Sequence, residues 1–187
     1  MGLVEHLETY LGEIQMGWRW DLDGIEQQIQ VVKFDAGPIA ETATFTTLGL
    51  SRVDLHSSVS GMPLRQELLM MARFSDLPLP ISRIMRTVTR EVVKTGHTLL
   101  GGQIIGPAGR LFPNFRFEAL YVTGPAYFPD EFSRCIEDGY SVDIVWLIPI
   151  YKTEAVYVRD NGWEAFEDQL VTVDPDLLDL RRKPLKL

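Results

Sequence analysis

Residues 142–170 read VDIVWLIPIYKTEAVYVRDNGWEAFEDQL, and their reading decides the fold. The apolar run Ile144-Val145-Trp146-Leu147-Ile148 has the branched and aromatic make-up of a central strand buried on both faces. Pro149 cannot donate to a ladder and is expected to end that strand. Thr153 is placed to cap a helix over 154–161, Gly162 to close it, and 163–170 to form a second short helix. Trp163 and Phe166, three residues apart, share a helical face and are expected to pin that second helix to the sheet.

Outward from this block, Val4, Leu7, Tyr10 and Leu11 predict a short amphipathic helix over 3–11. Trp18-Arg19-Trp20 and Asp21 to Gly24 read as a loop, and Ile29–Phe34 and Ala43–Leu50 as strands. Residues 65–74, RQELLMMARF, are ambiguous: their propensity favours helix, while their place between two loops allows a strand. Ile81, Ile84, Met85, Val88 and Val92 form the stripe of the clearest helix, 81–95, with Gly96 as its C-cap. Phe115–Thr123 reads as a strand. Residues 171–187 read as a charged tail in which a turn around Leu177, Leu178 and Leu180 packs loosely. Strands do not alternate regularly with helices. The expected class is therefore α+β: a mixed, largely antiparallel sheet with helices packed on it. A single domain over 1–187, with its core about 1–170, suits the length.

The 26 acidic residues outnumber the 18 basic ones, for a net charge of −8, which argues against a nucleic-acid partner. Cys135 is the one cysteine, so no internal disulfide is expected, and Asp130, Glu131, Glu137 and Asp138 around it would raise a thiol pKa. It reads as inert. The N-terminus has no basic segment before an apolar one, and no apolar run is long enough for a membrane helix, so a cytoplasmic protein without a membrane partner is expected.

No motif for chemistry stands out. The glycine-rich GGQIIGPAG, 101–109, has neither GxGxxG spacing nor a P-loop ending. His6, His56 and His97 are far apart, and Ser60 lacks the flanking pattern of a nucleophile elbow. No catalytic residue, cofactor or metal is expected, and a non-enzymatic protein binder fits best. Candidate contact residues are Trp18 and Trp20, on either side of Arg19, and the acidic clusters Asp130-Glu131, Glu137-Asp138 and Glu164, Glu167, Asp168. A cover over the sheet's edge is the commoner role for such tryptophans, and a solvated face explains the acids. The alternatives are a small enzyme or ligand-binding protein whose site assembles from distant residues, with His56, His97, Glu67 and Tyr121 the first to inspect, or a regulatory peptide-binding domain.

The block from Leu147 to Gly162, with Pro149, Ile150, Lys152, Thr153 and Glu154, resembles the C-terminal signature of the suppressor-of-fused-like domain. Thr46-Thr47-Leu48-Gly49-Leu50-Ser51 is similar to that family's T-x-G-(L/M)-S segment, and Glu67 to a glutamate ahead of apolar residues in the following strand. Gly96-His97 resembles a looser Gly-His after the middle helix, and the order of all four agrees. The resemblance implies that 65–74 is a strand. It also implies a protein partner, namely an immunity role in which single-domain bacterial relatives bind and neutralise a toxin. The clamping of a peptide between two domains, known for animal relatives, is not carried over.

Overall fold

A computed structural model describes residues 2–20 and 28–187. In chain order the elements are α1 (Leu3–Leu11), β1 (Ile14–Trp20), β2 (Ile29–Phe34), β3 (Thr42–Leu48), β4 (Leu55–His56), β5 (Pro63–Arg73), α2 (Ile81–Thr95), β6 (Ile104–Ile105), β7 (Phe117–Thr123), β8 (Arg134–Glu137), β9 (Tyr140–Tyr151), α3 (Lys152–Asn161) and α4 (Trp163–Val173). They group into two compact units, Met1–Leu99 with Gly124–Trp146, and Leu100–Thr123 with Leu147–Leu187. Each unit draws on two stretches of chain. The class is α+β with a mixed, mostly antiparallel sheet, as expected.

In the first unit the strands follow the order β1-β2-β3-β5-β9, with β4 beside β5 and β8 beside β9. Neighbours are antiparallel except β5 and β9, where Arg65–Leu69 runs parallel to Val142–Trp146. All seven residues of β3 are buried, as are Gln66 to Ala72 of β5. Covered on both faces and paired on both edges, β5 is a strand although Glu, Leu, Met and Ala favour helix; sheet neighbours override propensity. On α2 the buried stripe is Ile81, Met85, Val88, Thr89 and Val92. Gly96 ends it at φ 69°, its N–H donating to the carbonyls of Val92 and Val93.

Two features of this unit differ from the sequence reading. Trp18 to Trp20 is the end of β1, antiparallel to β2, and not a loop; the expected loop residues Asp21–Gly24 lie outside the described residues. The alternation of Ile14, Met16, Trp18 and Trp20 with Gln15, Gly17 and Arg19 is the strand signal that a loop reading passes over. β8 had no expected counterpart. It pairs with the start of β9 across a turn in which Asp138 and Gly139 both have positive φ. Cys135 on β8 is buried, and burial, then Glu137, Glu67 and Asp143, push its thiol up to about 11, in keeping with an inert residue.

In the second unit β9 continues as Leu147–Tyr151, with β7 and then β6 beside it. The strand does not stop at Pro149. It runs on to Tyr151, because a proline fits wherever the ladder needs no donor, while the Pro149 carbonyl still accepts from Arg182 Nη2 at 3.4 Å. The cap of α3 is accordingly at Tyr151 and not Thr153: Glu154 Oε2 accepts from the Tyr151 N–H at 2.9 Å. Gly162 has positive φ as expected, but its φ 88°, ψ 162° lies in a region reserved for glycine rather than in the left-handed helical one.

The stretch after residue 170 is more ordered than a loose tail. Leu178, Leu180, Arg182 and Leu185 are all buried. The Glu154 carboxylate holds the end of this stretch. It takes Arg182 through two hydrogen bonds of 2.6 and 2.8 Å and the Leu185 N–H at 3.0 Å. Removing one partner of such a pair strands a buried charge, which typically costs about 3–5 kcal/mol.

Of the expected pin, only Phe166 is buried, edge-on to Tyr121 at 5.0 Å. Trp163 is 46% exposed. It lies over Gly102 so closely that a Cβ there would sit 2.5 Å from its Cγ, and Gly102 also has φ +86°. A Gly102→Ala substitution therefore combines backbone strain with a clash, and is expected to cost about 3 kcal/mol in urea denaturation. Adding Trp163→Ala removes the clash but not the strain, so the double variant is expected to be more stable than the sum of the single losses implies. Additive losses would show that the two residues do not meet.

Candidate functional site

The first unit contains a buried carboxylate in an unusual setting. Glu67 on β5 has no exposure. The Thr47 hydroxyl donates to its Oε2 at 2.6 Å, and the N–H groups of Gly49, Leu50 and Ser51 donate to its two oxygens at 2.9, 3.3 and 3.0 Å. Thr47 Oγ1 in turn accepts from the Leu68 N–H at 2.8 Å. Three successive amides can face one carboxylate because the chain turns sharply after β3, with Gly49 at φ 102° opening a single helical turn, Leu50–Arg52. A Cβ at Gly49 would stand 2.5 Å from the Gln28 carbonyl oxygen, so only glycine fits. Burial pushes the Glu67 carboxyl up to about 7, against the hydrogen bonds from Thr47, Ser51 and Gly49, which pull it down.

Two residues before Glu67, β5 emerges into a cleft of about 650 Å³. Arg65, His56, Asp54, Arg134, Tyr140 and Asp143 are among its walls. The Arg65 guanidinium lies 3.7 Å from the centre of the Tyr140 ring, and Arg134 Nε donates to Asp143 Oδ1 at 2.6 Å. Tyr140 is 54% exposed, and Ile136, opposite Ser141 on the paired strand β8, is 58% exposed. An arginine stacked on an exposed tyrosine is a composition that carries binding energy at protein interfaces.

The residues suspected of forming a dispersed site each have other company. Glu67 is committed to the Gly49–Ser51 turn, and the Tyr121 hydroxyl donates to Glu167 Oε1 at 2.8 Å. His56 and His97 do meet, as exposed neighbours in a backbone bridge, where the His56 N–H donates to Gly96 O and the Thr98 N–H to His56 O, both at 3.0 Å. Among the described residues no group of three or more His, Cys, Asp or Glu could hold a metal. No described helix is long and apolar enough to cross a membrane.

The candidate contact residues are scattered. Trp20 is 8% exposed, so it serves the interior of its unit, and Trp18 is half-buried with its ring 6.0 Å from that of Phe45. Asp130 and Glu131 are exposed in a single turn before β8. Glu137 and Asp138 form the β8–β9 turn, where Arg52 approaches Glu137 at 3.8 Å. In the second unit Glu164 and Asp168 are exposed on α4, while Glu167 is taken by Tyr121 and Thr123. Arg65, Arg134 and Tyr140 were missed by the sequence reading. Arg65 lies more than sixty residues before the other two, and the one local signal was an aromatic residue directly after the turn pair Asp138-Gly139.

The chain belongs to the suppressor of fused protein (SUFU) family, whose model matches residues 26–183. Among curated proteins it is similar to immunity protein YqcF of Bacillus subtilis (strain 168), with 22% identity over 180 residues, 95% of this chain and 91% of that one. Among solved structures, a putative SUFU homolog from Neisseria gonorrhoeae FA 1090 superposes with a TM-score of 0.76 at 18% identity, over 96% of this chain and 92% of that one. Drosophila Suppressor of Fused superposes with a TM-score of 0.70 at 14% identity, over 98% of this chain and half of that one. A chain of the Sufu-Fu complex superposes with a TM-score of 0.68 at 13% identity, covering 98% of this chain and 88% of that one.

The Glu67 carboxyl has a pH signature. Its pKa is raised from 4.5 to about 7 on folding, so between these values the folded state holds a proton that the unfolded state has released. This group's contribution to stability is thus full below about pH 4.5 and falls as pH rises to about 7, by at most about 3 kcal/mol. In Glu67→Gln the fall disappears, and the difference in urea stability between wild type and variant changes across that window. A difference constant from pH 4.5 to 7.5 would mean that Glu67 titrates normally.

Proposed function

We propose that this chain is an immunity protein: a non-enzymatic binder that neutralises a toxin in the cytoplasm of the cell that makes it. The alignment with immunity protein YqcF over 95% of the chain supports this reading. So does the open cleft near Glu67, where Arg65 stacks on the half-exposed ring of Tyr140. Glu137 and Asp138, at the rim of that surface, supply the negative charge that would steer a basic toxin domain to it. The acidic groups act on encounter, and the stacked Arg65–Tyr140 pair acts on residence.

Co-expression with toxin genes from the same genome, followed by capture of the tagged chain and mass spectrometry, tests the reading. One toxin domain is expected to co-purify and its host to survive. In that complex Tyr140→Ala and Arg65→Ala are each expected to weaken binding about 10- to 100-fold, chiefly through the off-rate. Glu137→Lys is expected to lower the on-rate. Failure of every neighbouring toxin to bind or be neutralised would sink the immunity role. Binding that survives both cleft substitutions would move the contact surface elsewhere.

A further inference from the structure

The chain carries a net charge of −8, yet its second unit holds a strongly basic hollow. This cleft, of about 570 Å³, is walled by Arg110, Arg116, Lys152, Arg181, Arg182 and Lys183, with Glu118 the single carboxylate in its wall. The cations come from three places in the unit: the segment before β7, the first turn of α3 and the stretch after α4. Their convergence is a product of folding and not of one basic run in the sequence. Like charges brought together in a concavity raise each other's energy and focus a positive potential.

The floor of the hollow is built. Arg182 is 8% exposed, and its guanidinium is fixed by Glu154 at 2.6 and 2.8 Å. The ring of Tyr151 lies 5.3 Å from that guanidinium, and the Tyr151 hydroxyl donates to the Arg182 carbonyl. Yet Arg182 Nε, a buried donor of a charged group, has no acceptor among the described residues. Buried donors are ordinarily satisfied, and those of a charged group are the most expensive to leave unpaired. The first turn of α3, with the Lys152 ammonium and the Thr153 hydroxyl, also borders the cleft.

We propose that this cleft binds a compact polyanion of the phosphate class, a pyrophosphate-bearing small molecule. The guanidinium fork matches phosphate oxygens, and several forks around one hollow suit a ligand that concentrates charge in a few atoms. The volume is that of a small-molecule site, whereas an acidic protein segment would spread its carboxylates over a longer groove. The site is independent of the toxin-binding role and lies in the other unit of the chain.

The test is calorimetric titration of the full chain with inorganic pyrophosphate, at an ionic strength held constant with sodium chloride. Arg110→Ala and Arg116→Ala are the variants, because both side chains are exposed and their loss leaves the Arg182–Glu154 floor intact. Saturable one-site binding below millimolar concentration is expected, with a higher melting temperature in pyrophosphate. Each variant is expected to bind about tenfold more weakly and to melt normally without ligand. Absence of saturable binding to the wild type, or equal affinity in both variants, would overturn the proposal. A polyglutamate peptide that competes for the site and binds more tightly than pyrophosphate would overturn it in favour of an acidic protein segment.

Discussion

The carboxylate of Glu67 is the constraint around which the first unit is arranged. It joins two pieces of chain that no sheet hydrogen bond would fix: the turn that leaves β3 and the middle of β5. A buried carboxylate without donors would be prohibitively costly, and three unpaired amides in a tight turn nearly as costly. Each group satisfies the other. Thr47 closes the arrangement by donating to Glu67 while accepting from the amide of Leu68. The result sets where β5 starts its buried run, and so where Arg65 leaves the interior and meets Tyr140.

The two sequence segments that resembled the family most locally, Thr46–Ser51 and the strand with Glu67, are therefore two halves of one contact. Neither half shows its purpose alone. A glycine after a threonine-rich strand reads as a turn, and a glutamate in an apolar strand reads as an exception. The fold class, the α2 helix with its Gly96 cap and the buried run of β9 were legible because periodicity and capping are local. What escaped the reading depended on which positions pair with which. β1 is a strand because β2 pairs with it, Pro149 is tolerated because its position needs no donor, and α3 starts at Tyr151 because Glu154 turns back to cap it. The cleft residues were less legible still, since Arg65, Arg134 and Tyr140 are ordinary surface types until three strands bring them together.

Charge divides along similar lines. The net value of −8 describes the solvated surface and not the distribution within it. In the second unit, Glu154 spends its charge on Arg182 and the Leu185 amide, which draws the arginine-rich stretch inward against β9 and α3. An acid placed for structure thus assembles a basic hollow. Composition alone argues against extended anionic ligands such as nucleic acid, whose binding needs a broad basic face. It says nothing about a hollow that a few side chains can line.

The raised pKa of Glu67 also has a calorimetric consequence. Near pH 6 the folded protein holds this proton and the unfolded chain does not, so unfolding delivers a large fraction of one proton to the buffer. The heat measured on melting then includes the ionisation heat of whichever buffer takes it up. Scans in phosphate and in imidazole differ in apparent unfolding enthalpy, and that difference counts the protons held by the clasped turn.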